Sequence, residues 1–148
     1  MLDVSSAIVR MLGTRVYIDT NIFIYVLNNT PVWAAPSLAL LEACATRQIE
    51  GITGDVTLAE LLVRPLQAND AAAVAAVRDL LLHDGAISVV SHDRAAFELA
   101  AHHRARHGLK MVDALQLATA QGAGASWLVS NDRQFPKLTD IECINLAG

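Results

Sequence analysis

The segment RVYIDTNIFIYVL, residues 15–27, is almost wholly apolar, yet it carries a carboxylate in its middle, Asp19. Burying an unpaired charge is expensive, so carboxylates rarely enter such runs without a partner. The residues before it, VYI (16–18), read as a short buried strand. The residues after it, from about Thr20 to Asn28, read as a helix stopped by Asn28-Asn29-Thr30-Pro31. Asp19 therefore stands where a strand hands over to a helix.

The same alternation continues outward. Ser37 is a predicted cap for a helix through Gln48, with Leu38, Leu41 and Ala45 on one face and Gly51 as its breaker. ITG (52–54) reads as a second strand. Thr57 is a predicted cap for the helix LAELLV, which Pro65 ends. Asp70 caps the helix AAAVAAVRDLLLH, and ISVV (87–90) after Gly85 is a third strand. Residues 93–107 are Ala-rich and helical up to Gly108. Residues 112–121 form a further helix, broken by Gly122 and Gly124. SWLVS (126–130) and IECINL (141–146) supply the last two strands. Short apolar strands alternating with helices predict a doubly wound, parallel α/β sandwich. No repeat, linker or low-complexity segment interrupts it.

The chain has 148 residues, 53% hydrophobic and 18% charged, which suits one globular domain with a real core. No apolar run approaches the roughly 20 residues of a membrane span. The first residues, MLDVSSAIVRMLGTR, lack the pattern of a signal peptide, so a cytoplasmic protein without a membrane partner is expected. Cys44 and Cys143 have no metal-ligand spacing and read as reduced structural thiols. The net charge of -4 does not suit a nucleic-acid binder at first sight. Were four acids gathered in one metal site, the remaining surface charge would balance, and Arg outnumbers Lys among the cations.

In a parallel sheet, ligands bind beyond the carboxyl ends of the strands. Asp19 directly follows the first strand, and Asp132 lies two residues after the fourth. Glu60 lies in the helix past the second strand, and Asp113 opens the helix VDALQLATA. Each acid has a local reading. Asp19 and Asp113 suit helix starts, Asp132 a turn, and Glu60 a solvent-facing helix position. All four sit in or beside apolar runs, and the joint pattern favours one shared site.

The segments VYIDTNIFIYVL, TLAELLVRPL, GLKMVDALQLATA and WLVSNDRQF resemble the four signature segments of the PIN domain, most nearly in the VapC-type toxins of prokaryotic toxin–antitoxin pairs. The resemblance spans Arg15 to the C-terminus. Residues 1–14 form an N-terminal extension, and 15–148 the PIN-like nuclease domain. It implies a Rossmann-like fold, with a short, mostly parallel sheet between helices, and a metal-dependent ribonuclease. The family's acidic quartet maps onto Asp19, Glu60, Asp113 and Asp132, and its polar supporting positions onto Thr20, Asn21 and Ser130. It also implies an antitoxin partner, whose tail inserts near the acidic groove, and a homodimer.

The chemistry of the residues agrees. Carboxylates packed together repel unless a cation neutralises them. All-oxygen ligation suits Mg²⁺, with Mn²⁺ as alternative, rather than zinc. Asp19 and Asp113 are the expected direct ligands, with Glu60 and Asp132 acting through water or a second site. There is no second Asp two residues after Asp19, which argues against a haloacid-dehalogenase-type phosphatase. Candidate RNA phosphate contacts are Arg64, Arg104, Arg106, Lys110 and Arg133. His103 and His107 have metal-ligand spacing but read better as a solvated, cationic helix end. Trp33 and Trp127 are candidates for base stacking, Trp127 reading better as core. Two other functions fit the same residues: a PIN nuclease of RNA processing without an antitoxin, and a catalytically idle module acting through a DNA-binding partner.

Overall fold

The computed structural model describes all 148 residues. In chain order the elements are α1 (Val4–Met11), β1 (Arg15–Ile18), α2 (Thr20–Leu27), α3 (Ala34–Ala45), β2 (Glu50–Gly54), α4 (Asp55–Gln67), α5 (Ala71–Arg78), β3 (Ile87–Val90), α6 (Arg94–His107), α7 (Met111–Gly122), β4 (Trp127–Ser130) and β5 (Glu142–Asn145). The strands form one sheet in the order β3-β2-β1-β4-β5, and every pairing is parallel.

Alternate side chains leave a strand on opposite faces. Val16 and Ile18 accordingly join Phe23, Leu40 and Leu61 on one side of the sheet, while Tyr17 joins Ala100, Leu117 and Leu128 on the other. The sheet is covered on both faces, which is why its strands are continuous apolar runs. β2 and β3 step away from β1 in one direction, and β4 and β5 lie in the other. The order therefore reverses between β1 and β4, and a crevice opens there at the carboxyl ends. No helix is long and apolar enough to cross a membrane.

Several local expectations are corrected. Ser37 does not cap α3. The helix begins at Ala34, and Ser37 is buried inside it on the face formed with Leu40, Leu41 and Cys44. Leu38, expected on the apolar face, is exposed. Thr57 does not cap α4 either, because the cap is Gly54 and Thr57 lies one turn inside. Pro65 does not end α4, which continues to Gln67. A proline removes only its own N–H, and the Ala68 and Asp70 amides still bond back to the Arg64 and Pro65 carbonyls. The helix expected over 71–83 changes at Asp79 into a wider π-helical turn through His83. The first fourteen residues carry α1, whose Asp3 caps it and whose Ala7 and Met11 are buried in the core.

Candidate active site

β1 and β4 are paired with Ile18 opposite Val129, so the next residues, Asp19 and Ser130, meet at the edge of the sheet. The Asp19 amide donates to the Val129 carbonyl at 3.0 Å and fixes the chain there. Asp19 also caps α2, accepting from the Thr20 amide at 2.7 Å. The capping interpretation thus describes a real feature of this residue. Its other contacts are the Ser130 hydroxyl, 2.5 Å from Oδ2, and the Gln116 amide, 2.8 Å from Oδ1.

Asp19 is only 5% exposed. Burial pushes its pKa up, against three hydrogen bonds from Ser130, Thr20 and Gln116 that favour the ionised form, and the charge of Asp132 pushes it further up. Ser130 is fully committed. It donates to Asp19 and accepts from Asn21 Nδ2 at 3.3 Å and from the Asp132 amide at 2.9 Å. Those bonds bring the start of α2 and the Asp132 turn to the same point.

Glu60 reaches the site from the second turn of α4. The Thr20 hydroxyl donates to its Oε1 at 2.7 Å. Asp113, in the first turn of α7, is half-buried. Its pKa is pushed up to about 6, mainly by burial and then by Asp19, Asp132 and Glu60, while Lys110 lowers it. No hydrogen bond compensates its charge. The structure therefore brings together all four sequence-predicted acids and the three supporting residues, from four segments of the chain.

A hard divalent cation fits this donor set. Every donor is oxygen, and Asp113 accepts no hydrogen bond in the field of three other carboxylates. No three His, Cys, Asp or Glu side chains close into a tight cage.

Of the basic candidates, Lys110 and Arg133 adjoin the acids. Lys110 precedes α7 and is close enough to Asp113 to lower its pKa. Arg133 lines a cavity of about 660 Å³ together with Ser130, Asp132 and Lys137. Arg64 and Glu60 border a separate, mostly apolar groove of about 560 Å³ between α2, α4 and α5. Arg106 is exposed, and Arg104 donates to the Leu109 carbonyl at 3.1 Å. His103 is not solvated. It is buried, and its Nε2 donates to Gln121 Oε1 at 2.6 Å. The Trp33 ring stacks on Tyr25, and the Arg10 guanidinium lies over Trp127. Both cysteines are free, with burial pushing Cys44 up to about 12 and Cys143 to about 11.

Three polar residues around the site escape the sequence reading. Thr57 looks like a cap, Gln116 is one polar letter in an apolar helix, and His92 lies in a loop. His92 Nε2 accepts from the Val56 amide at 3.1 Å, so its Nδ1 carries the proton and donates to Thr119 Oγ1 at 2.6 Å. Only the burial of polar groups on helix faces marks such residues, and that requires the fold.

A parallel α/β sheet that gathers acidic side chains at the point where its strand order reverses defines a class of acidic-site domains. The chain belongs to the PIN domain family, whose model matches residues 16–141. Among solved structures, its fold is similar to VapBC2 from Rickettsia felis, bound to a DNA fragment from their promoter, with a TM-score of 0.70 and 18% identity over 88% of this chain and 98% of that one. It is similar to a toxin–antitoxin complex from Klebsiella pneumoniae, with a TM-score of 0.66 and 20% identity over 85% and 94%. It is also similar to the sarcin–ricin loop cleaving toxin VapC20 of Mycobacterium tuberculosis, with a TM-score of 0.61 and 17% identity over 76% and 86%. No curated protein sequence matches.

Proposed function

We propose that this PIN domain is a metal-dependent endoribonuclease and the toxin of a toxin–antitoxin pair, hydrolysing RNA phosphodiesters with Mg²⁺ or Mn²⁺. The observation that carries the reading is the buried, hydrogen-bonded Asp19 beside Asp113, whose carboxylate accepts no hydrogen bond, with Glu60 and Asp132 in the same field. In it, Asp19 and Asp113 hold the ion, and Glu60 and Asp132 act through water. The ion, when bound, acidifies a water and neutralises charge developing on the phosphate. Thr20 fixes Glu60 Oε1 and leaves Oε2 free to take the proton of the attacking water. Lys110 and Arg133 offer cations to the neighbouring phosphates, and Arg64, Arg104 and Arg106 extend the track.

The antitoxin partner is supported by the complexes named above. The groove lined by Ile24, Leu27, Leu61, Val63 and Val77, with Glu60 at its border, offers it an apolar bed. The homodimer and the cytoplasmic location belong to the same reading.

The test is cleavage of RNA by purified, metal-free protein, with Mg²⁺, Mn²⁺ or excess EDTA added, beside an Asp19→Asn control. Cleavage with either metal and none with EDTA or the control supports the reading. Undiminished cleavage in EDTA overturns the metal mechanism. No cleavage under any condition, with promoter DNA bound through a partner, favours the idle binding module.

A further inference from the structure

Beneath the four acids lies a buried polar seam that helix capping does not explain. Thr53, Thr57 and Gln116 are each no more than 1% exposed, and Thr20 is 5% exposed. Hydroxyl protons can be counted along it, because each threonine has only one. Thr53 Oγ1 lies 2.8 Å from both the Ile18 carbonyl and Thr57 Oγ1, and its one proton is shared between these two acceptors. Thr20 Oγ1 donates its proton to Glu60 Oε1 at 2.7 Å.

Thr57 then holds the one uncommitted proton. Its hydroxyl accepts from Thr53 Oγ1 at 2.8 Å and has two acceptors in range, Thr20 Oγ1 at 3.0 Å and Gln116 Oε1 at 3.5 Å. The Thr20 branch leads to Glu60, and the Gln116 branch leads through Nε2 to Asp19 Oδ1 at 2.8 Å. The one proton of Thr57 is thus shared between two branches, which end on carboxylates carried on β1's end and on α4.

We infer that Thr57 and Gln116 are positioning residues, a buried bridge that fixes the carboxylates of Asp19 and Glu60 relative to each other. This rests on the nuclease reading above. Stability alone does not call for the bridge. An apolar residue of the same shape is commonly as good as, or better than, a buried polar pair. Thr57 makes no bond to a backbone amide, as a cap would, nor to the carbonyl one turn back, as a helix-interior threonine often does. Bound between two carboxylate-holding branches, it narrows the geometry that both acids offer to a cation.

The experiment compares wild type with Thr57→Val, Thr57→Ser, Gln116→Met and the Thr57→Val/Gln116→Met double variant. It measures melting temperature without metal, Mn²⁺ affinity in the absence of RNA, and RNA cleavage. Thr57→Val keeps the shape and loses the proton. It should melt at or above the wild-type temperature, bind Mn²⁺ about five- to tenfold more weakly and lose at least that factor in kcat. Thr57→Ser, which keeps the hydroxyl, should restore both to within about threefold. The double variant should lose no more than the worse single variant, because both act along one chain of bonds.

Wild-type Mn²⁺ affinity and kcat in Thr57→Val would overturn the bridge while leaving the nuclease reading intact. Weaker melting of Thr57→Val that serine does not repair would show a packing role and overturn it too. Wild-type protein that binds no Mn²⁺ and cuts no RNA would overturn the nuclease reading, and the bridge with it.

Discussion

Ser130 donates its hydroxyl proton to Asp19 at 2.5 Å, across the junction of the two strands at which the sheet order reverses. The contact follows from register. With Ile18 opposite Val129, no other residue pair falls at that edge of β1 and β4. Ser130 is therefore a hinge pin for the site, holding Asp19, Asn21 and the Asp132 turn with one oxygen.

Ser130→Ala removes one donor and one acceptor from a buried cluster. The Asp132 amide and Asn21 Nδ2 lose their partner, and Asp19 loses a bond that favours its ionised form. Unsatisfied buried groups cost roughly 1–3 kcal/mol each at most sites. Urea denaturation should show a loss of about 2 kcal/mol, and RNA cleavage should fall by at least an order of magnitude. Unchanged stability and cleavage would show that Ser130 is incidental.

Asp113→Asn should stabilise the metal-free fold at neutral pH. Its folded pKa, pushed up to about 6, exceeds the usual carboxylate value. The folded state therefore holds the proton more tightly than the unfolded chain does, and stability falls as pH rises from about 4 through about 6. Asp113 is half exposed, and solvent screening reduces the effect to on the order of 1 kcal/mol. Wild type should melt lower at pH 7 than at pH 4.5 by the part of this that survives other titrations, and the variant should lack that component. Added Mg²⁺ should raise the melting temperature of wild type more than that of Asp113→Asn. A variant that melts clearly lower in EDTA and gains as much from Mg²⁺ would identify Asp113 as a helix cap.

Gly54→Ala should unsettle the start of α4. A Cβ there would stand 2.2 Å from His92 Cε1 and 2.7 Å from the Tyr17 hydroxyl. His92 cannot step aside freely, since both ring nitrogens are engaged. A loss of about 1–3 kcal/mol in chemical denaturation is expected, with much of it recovered in Gly54→Ala/His92→Ala. Full stability in the single variant would contradict the crowding.

Lys110→Ala removes the cation that restrains the pKa of Asp113. That pKa should rise above about 6 when followed by NMR titration of the metal-free protein. RNA affinity should weaken at every sequence tested, and the slope of log Kd against log salt should shrink by about one. A salt slope equal to that of wild type would remove Lys110 from the phosphate contacts.

The four acids and the α/β alternation were legible because both are local. A charge inside an apolar run is visible in thirteen letters, and Asp70 announces its helix by position alone. Caps and stops were less legible where tertiary packing overrode them. Ser37 and Thr57 have the composition of helix starts, but the core accepts them as interior residues, and Pro65 is carried by a helix already held on both sides.

The sequence by itself determined the strands, most of the helices and which acids stand near strand ends, because apolar periodicity and carboxylate placement are properties of neighbouring residues. Only the tertiary structure decided the strand order, the burial of α1 in the core, and the polar seam that joins Gln116 to Asp19 and Thr57 to Thr20. Those pairs are separated by 97 and 37 positions. Such distant polar groups come within hydrogen-bonding range only after sheet register and helix packing have fixed both partners, and a single buried glutamine or threonine carries no sign of its partner in the letters around it.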